Sequence, residues 1–275
     1  RPVGFITARS VLGAGLLALA LSILAPAASA EEVVEIKTRP GVTVKFILRG
    51  SRIGNPPIAI LFAGGQGVID LDNWDGSGNP TGNFLVRTRK HWVKHDLLVA
   101  VPDAPSDMQG GMALWRTSAD HAADIRAVIA ALRRHSSGPV FLIGTSRGTI
   151  SAAGIAAHLA PGELGGIVLT ATVTRYNRGR NKDRVQSVKL EKIRVPVLLA
   201  HHQDDACYVT LVEDLPALAK QFTGAPRVEI KVYRGGGNYR GSECGARAAH
   251  GFRGIEKRVV RELAAWIHAI AGTGR

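Results

Sequence analysis

Gly144-Thr145-Ser146-Arg147-Gly148 sets a serine between two glycines, each two residues away. A serine hydroxyl is not nucleophilic at neutral pH, so a base must take its proton and a carboxylate must hold that base in the useful tautomer. Two later segments carry such groups: His201-His202-Gln203-Asp204-Asp205, and His250 in Ala249-His250-Gly251. Hydroxyl, imidazole and carboxylate together suit acyl transfer, in which the serine attacks a carbonyl carbon and water later releases the acyl group.

Such chemistry requires elements that deliver three side chains to one place. Val140-Phe141-Leu142-Ile143 reads as a strand leading into the serine motif, and Thr149 to His158 as a helix leading out. In that setting the turn is sharp, the glycines permit close approach, and the hydroxyl projects at the C-terminal edge of a sheet. Further short apolar runs recur at Val42–Leu48, Ile58–Ala63, Leu97–Val101, Gly166–Thr170, Val195–Ala200 and Val228–Tyr233. Their continuous rather than alternating apolar character predicts strands buried on both faces, as in a parallel sheet.

Crossover helices fit between the strands. Ile125, Val128, Ile129 and Leu132 fall at helical spacing behind Thr117-Ser118-Ala119-Asp120, which fits a capping box. A second helix is expected from Ser146 to about His158, with Ala152, Ala153, Ala156 and Ala157 allowing close packing. A third runs from about Gly254 to Ala271, with Ile255, Val259, Leu263, Trp266, Ile267 and Ile270 on its apolar side. The alternation predicts an α/β chain: a doubly wound, mostly parallel sheet with helices on both faces. No period of 20 to 50 residues repeats and no low-complexity tract or Pro-rich linker intervenes, so residues 31–275 read as one domain.

Ser146, then Asp, then His250, each in a loop after a successive strand, is the order of the α/β-hydrolase superfamily, which the sequence resembles over most of residues 33–271. The resemblance implies Ser146 as nucleophile and His250 as base. Its acid commonly follows a late strand in a His-Gly-x-x-Asp type segment, which puts Asp205 in register, with Asp204 as the alternative because His202 stands where Gly is usual. The fold also supplies two backbone N–H donors for the oxyanion. One would be Arg147, directly after the nucleophile. The other would be Gly65 or Gln66, in Ala63-Gly64-Gly65-Gln66-Gly67 after an early strand, where relatives usually carry His-Gly. Residues 171–194, where larger relatives insert a lid domain, are too few for a substantial cap, so an open-site esterase is expected rather than a lidded lipase.

Composition bounds the remaining possibilities. With 45% hydrophobic and 21% charged residues the chain can build a core, which excludes a disordered polymer and a multi-span membrane protein. Arg9, the uncharged run Val11–Leu24 and Ala28-Ser29-Ala30 read as a secretory signal peptide over residues 1–30. The apolar run is shorter than the roughly 20 residues of a spanning helix, so no stable membrane span is expected after cleavage. Removing Arg1 and Arg9 from the formal +13 leaves +11. Scattered basic residues and few aromatics argue against nucleic acid, while Arg147 and the cluster Arg175, Arg178, Arg180, Lys182 and Arg184 favour an anionic or polar acyl substrate.

Asp70, Asp72 and Asp75 miss the calcium-loop spacing by one residue, His91 and His95 flank Trp92 where a zinc protease needs Glu, and no nucleotide-binding glycine motif appears. No metal or cofactor is therefore expected. Cys207 and Cys244 are the only cysteines, and in a secreted or periplasmic chain they are expected to pair. If Asp205 and His250 meet, the same fold brings these two cysteines together. The expectation is an exported, carboxylesterase-like serine hydrolase cleaving an ester, thioester or related acyl bond. Its rivals are a serine peptidase or cofactor-free perhydrolase on the same fold, and a non-catalytic envelope-binding protein on a hydrolase scaffold.

Overall fold

A computed structural model of the chain describes Arg1, residues 31–176 and residues 183–273. The signal segment and Arg178, Arg180 and Lys182 of the basic cluster lie outside the described residues. Eight strands form one sheet: β1 Glu32–Arg39, β2 Val42–Arg49, β3 Ile58–Phe62, β4 Leu98–Pro102, β5 Val140–Thr145, β6 Gly166–Thr170, β7 Val197–His202 and β8 Val228–Tyr233. Their order across the sheet is β1-β2-β4-β3-β5-β6-β7-β8. β3 to β8 with β4 are parallel, whereas β2 pairs antiparallel with both β1 and β4.

β5 explains the continuous apolar runs. Val140 and Leu142 point into one core layer with Ile125, Val128, Ile150 and Ile155, while Phe141 and Ile143 point into the other with Leu85, Trp92, Leu263 and Ile267. Helices α2 (Ala119–Leu132) and α3 (Gly148–His158) supply the first layer. Helices α1 (Phe84–Val93) and α5 (Glu256–Thr273) supply the second, and a short α4 covers Leu215–Ala219. Burying each such side chain contributes about 1.5–3 kcal/mol, so both faces of the central strands hold the sheet together.

Several expectations require correction. β1 is absent from the sequence reading because Val34 and Ile36 alone pack inward along Glu32–Arg39, leaving a half-exposed edge. β2 buries Val42, Val44 and Phe46–Leu48 but leaves Thr43, Lys45 and Arg49 partly exposed, and it is antiparallel. β8 is a partly exposed edge strand rather than a buried one, with charged Glu229 and Lys231 interrupting its apolar residues. The cap falls one residue later than the expected Thr117/Asp120 box: the Ser118 side chain accepts from the His121 amide, and both His121 ring nitrogens are buried without a partner.

One consequence positions the site. The chain leaves β3 for β4 on one side and returns to β5 on the other, so the carboxyl ends of β3 and β5 lie side by side where the winding reverses. In open α/β sheets that crevice is where ligands bind.

Candidate active site

Ser146 follows β5 with φ 53°, a left-handed conformation that a serine adopts only when its surroundings impose it. Two hydrogen bonds and two close glycine packings impose it. The Ser146 amide donates to the Thr170 carbonyl on β6 at 2.9 Å, and the Thr149 amide closes the turn onto the Ser146 carbonyl at 3.0 Å. A Cβ on Gly144 would strike the backbone of Gly148 and Thr149, and one on Gly148 would strike the Phe62 carbonyl at the end of β3. Both glycines of the motif are thus required by packing.

Asp205 and His250 meet. His250 Nδ1 lies 3.0 Å from Asp205 Oδ2, both residues are buried, and a carboxylate can only accept, so Nδ1–H donates and Nε2 is left free. The Thr210 hydroxyl donates to the same Oδ2 at 2.9 Å, and the Cys207 amide donates to Oδ1 at 3.0 Å. Asp204 faces elsewhere: its side chain is 64% exposed and stands 3.9 Å from His202 Nδ1. Strand β7 runs two residues beyond its expected end, so His201 and His202 are strand residues. His201 accepts from the Thr172 amide at 2.7 Å, and burial pushes it down to about 4. His202 Nε2 lies 2.7 Å from the Gly235 carbonyl and ties β7 to the Gly-rich loop.

His250 sits in a turn, Ala249–Gly251, whose shape depends on its neighbours. A Cβ on Gly251 would strike the Ala246 carbonyl, and Arg87 on α1 donates to the Gly251 carbonyl at 2.7 Å while reaching Glu256 at 3.1 Å. Cys207 and Cys244 form a disulfide with Cα atoms 4.6 Å apart, joining the Asp205 loop to the loop that precedes His250.

The loop after β3 folds over Ser146. A Cβ on Gly64 would lie 2.9 Å from Ser146 Cβ, and the Gly67 amide closes a turn onto the Gly64 carbonyl at 3.1 Å. The amides of Gly65, Gln66 and Arg147 have no hydrogen-bond acceptor among the described residues, and the Arg147 guanidinium donates to Gln66 Oε1 at 3.2 Å. Two cavities open at Ser146. One, about 380 Å³, is lined by Gly65, Gln66, Asn83, Ser146 and His250; the other, about 190 Å³, by Gly65, Ser146, Arg147, Val173, Asp183 and Val209. Cys244 lines both.

No protein-family model and no curated protein matches the sequence. Solved structures match its fold. The esterase Est1E from Butyrivibrio proteoclasticus superposes with a TM-score of 0.60 at 13% identity, over 87% of this chain and 99% of that one. A soluble variant of monoglyceride lipase from Saccharomyces cerevisiae gives 0.62 at 11% identity, over 88% and 95%. The chain has the α/β-hydrolase fold. The acylaminoacyl peptidase of Pyrococcus horikoshii shares it at a TM-score of 0.58 and 10% identity, with 86% of this chain on 41% of that one.

Within the α/β-hydrolase fold, the segment between β6 and β7 carries no lid domain among its described residues, only 3-10 turns at Val185–Ser187 and Leu190–Lys192. Four residues at the site carry no motif in the sequence: Thr210, Arg116, Asp183 and Asn83. Asn83 alone had a signal, an Asn directly before an apolar run, where its side chain caps α1 by accepting from the Leu85 amide.

Proposed function

We propose that the chain is an exported serine hydrolase, carboxylesterase-like, that cleaves an ester or thioester through an acyl-enzyme. The observation that carries this reading is a serine held at φ 53° in the same cavity as a buried histidine whose Nδ1 is 3.0 Å from a buried carboxylate. His250 Nε2 takes the Ser146 proton as Oγ attacks the acyl carbon. Amides of Arg147 and of Gly65 or Gln66 receive the oxyanion, and losing one such donor typically costs about 10²–10³ in rate. As the bond to the leaving oxygen or sulfur breaks, His250 returns the proton to it. Water activated by the same histidine then releases the acid.

The leaving group must lie where His250 can protonate it, which supports the 380 Å³ cavity for that half and the 190 Å³ cavity for the acyl half. A neutral polar acyl group is favoured over an anionic one. Arg147 already stands 3.7 Å from Asp183, and Arg175 is paired with Glu213 and Asp214 at 2.8 Å. The disulfide and the expected signal peptide support a secreted or periplasmic location. Among the described residues no helix is long and apolar enough to cross a membrane.

The test is stopped-flow hydrolysis of p-nitrophenyl acetate. A burst of nitrophenol equal to the enzyme concentration, absent in Ser146→Ala, is expected. Steady hydrolysis that survives in Ser146→Ala would overturn the reading.

A further inference from the structure

Arg89 and Arg116 are both buried arginines that the proposed reaction leaves unused, but Arg89 pairs with Glu31 and Arg116 does not pair with a carboxylate among the described residues. Arg116 is 1% exposed and sits in the turn Trp115–Thr117 before α2. Burying an unpaired cation is costly, and here burial pushes the guanidinium down to about 9. A group retained at such a cost is expected to organise what it touches. Its Nη1 donates to Ser151 Oγ on α3 at 2.8 Å. Its Nη2 donates to the Gly65 carbonyl at 3.2 Å and the Ala63 carbonyl at 3.4 Å. The loop wraps closely around it, since a Cβ on Gly67 would meet Nη2 at 2.6 Å.

These partners are the two structures that must be in register for an oxyanion to be received. Ser151 belongs to the helix that begins just after Ser146 and Arg147, and Ala63 and Gly65 belong to the loop folded over Ser146. A trans peptide unit points its C=O and N–H in opposite directions, and no peptide bond here is cis. Drawing the Gly65 carbonyl onto the guanidinium therefore turns the Gln66 N–H away from Arg116, on a loop whose Gly65 and Gln66 line the Ser146 cavity. The same contact keeps a carbonyl oxygen, which would repel a developing negative charge, off the reacting centre. A cation on the carbonyl side also polarises the peptide and strengthens its N–H as a donor.

We propose that Arg116 is a positioning residue that holds the loop after β3 with its amides available to the oxyanion, registered against the helix that follows Ser146. The proposal rests on the serine-hydrolase reading above and adds to it a residue that touches neither substrate nor nucleophile.

The test compares Arg116→Met, which keeps the stem and removes the donors, with Arg116→Lys, which keeps the charge and one point of donation. For an ester substrate, kcat of the Met variant is expected to fall by about tenfold or more, with KM changed by less than about threefold. Affinity for a trifluoromethyl ketone, whose adduct with Ser146 carries the oxyanion, should fall in step with kcat, and the Lys variant should recover part of both. A folded variant with kcat intact, or a loss confined to KM with ketone affinity unchanged, overturns the proposal. If the Met variant does not fold, the Lys variant is read with amide NMR of wild type. Adduct formation should move the Gly65 or Gln66 N–H downfield, and less so in Arg116→Lys; equal shifts in both proteins overturn it. Should wild type form no Ser146 adduct with the ketone, the underlying hydrolase reading fails instead, which is a distinct result.

Discussion

Asp204 and Asp205 are adjacent, equally acidic and indistinguishable by composition, yet their surroundings are opposite. Asp205 is 4% exposed and receives the Thr210 hydroxyl, the Cys207 amide and His250, whereas Asp204 projects into solvent beside His202. Asp205→Asn is therefore expected to lower kcat by roughly 10³–10⁴, because an amide can hold His250 in the wrong tautomer. Asp204→Asn should leave kcat within about twofold. Steady-state kinetics of the two variants decide the register, and a reversed pattern would move the acid by one residue. The sequence order of Ser146, an Asp and His250 was legible because acyl transfer needs those three groups. The choice between the acids was not, because it depends on the turn in which the Asp205 amide donates to the His202 carbonyl at the end of β7. Thr210 was illegible for a related reason: a threonine in a loop has no pattern, and its value here comes entirely from the 2.9 Å bond to a residue it happens to face.

At the scale of elements, the strands that enter and leave the site were legible as runs of apolar residues because both faces of β3, β5 and β6 are buried. Edges were not. β1 and the exposed side of β8 mix charge with apolar residues, and α1, with its polar stretch Arg87-Thr88-Arg89-Lys90-His91, buries Thr88 and Arg89 despite their polarity. The loop that carries His250 leaves the edge strand β8, whereas the Asp205 loop leaves the buried β7, and the disulfide ties one to the other across 37 residues. The Cys207→Ala/Cys244→Ala pair is expected to lose roughly 4 kcal/mol at most, the chain-entropy limit for such a loop. Because Cys244 lines both cavities and Cys207 adjoins the acid, kcat should fall as well. Urea unfolding with and without reductant checks the first part. A midpoint unmoved by the substitutions would show that the loops are held by other contacts.

For the molecule as a whole, acid sensitivity follows from two buried histidines. Burial, reinforced by the charges of Arg116 and Arg39, pushes His121 down to about 3, and burial pushes His201 down to about 4, both below the ordinary 6.5. The unfolded chain takes up these protons first, so the stability involved is fully present above about pH 6.5 and is lost as pH falls through about 4 for His201 and about 3 for His121. Each histidine contributes up to about 1.4 kcal/mol per pH unit in that window. The thermal midpoint should drop between pH 7 and pH 4.5. His121→Leu, which removes a ring whose nitrogens have no partners, should make the drop shallower, and an unchanged slope would assign the sensitivity elsewhere. Net charge and composition were legible from the start, but the opposing carboxylates around Arg147 and Arg175, which argue against an anionic substrate, were not, since Asp183, Glu213 and Asp214 are brought to the site only by folding. The candidate site is thus made by a sheet whose winding reverses beside Ser146, a strained turn that presents its hydroxyl, and two tied loops that bring a carboxylate-paired histidine to the same cavity. The most direct measurement is mass spectrometry of the protein after reaction with a fluorophosphonate, with the adduct mapped by proteolysis. One adduct per chain, on Ser146 and much slowed in His250→Ala, is the predicted result; no adduct, or one on another residue, would contradict the account.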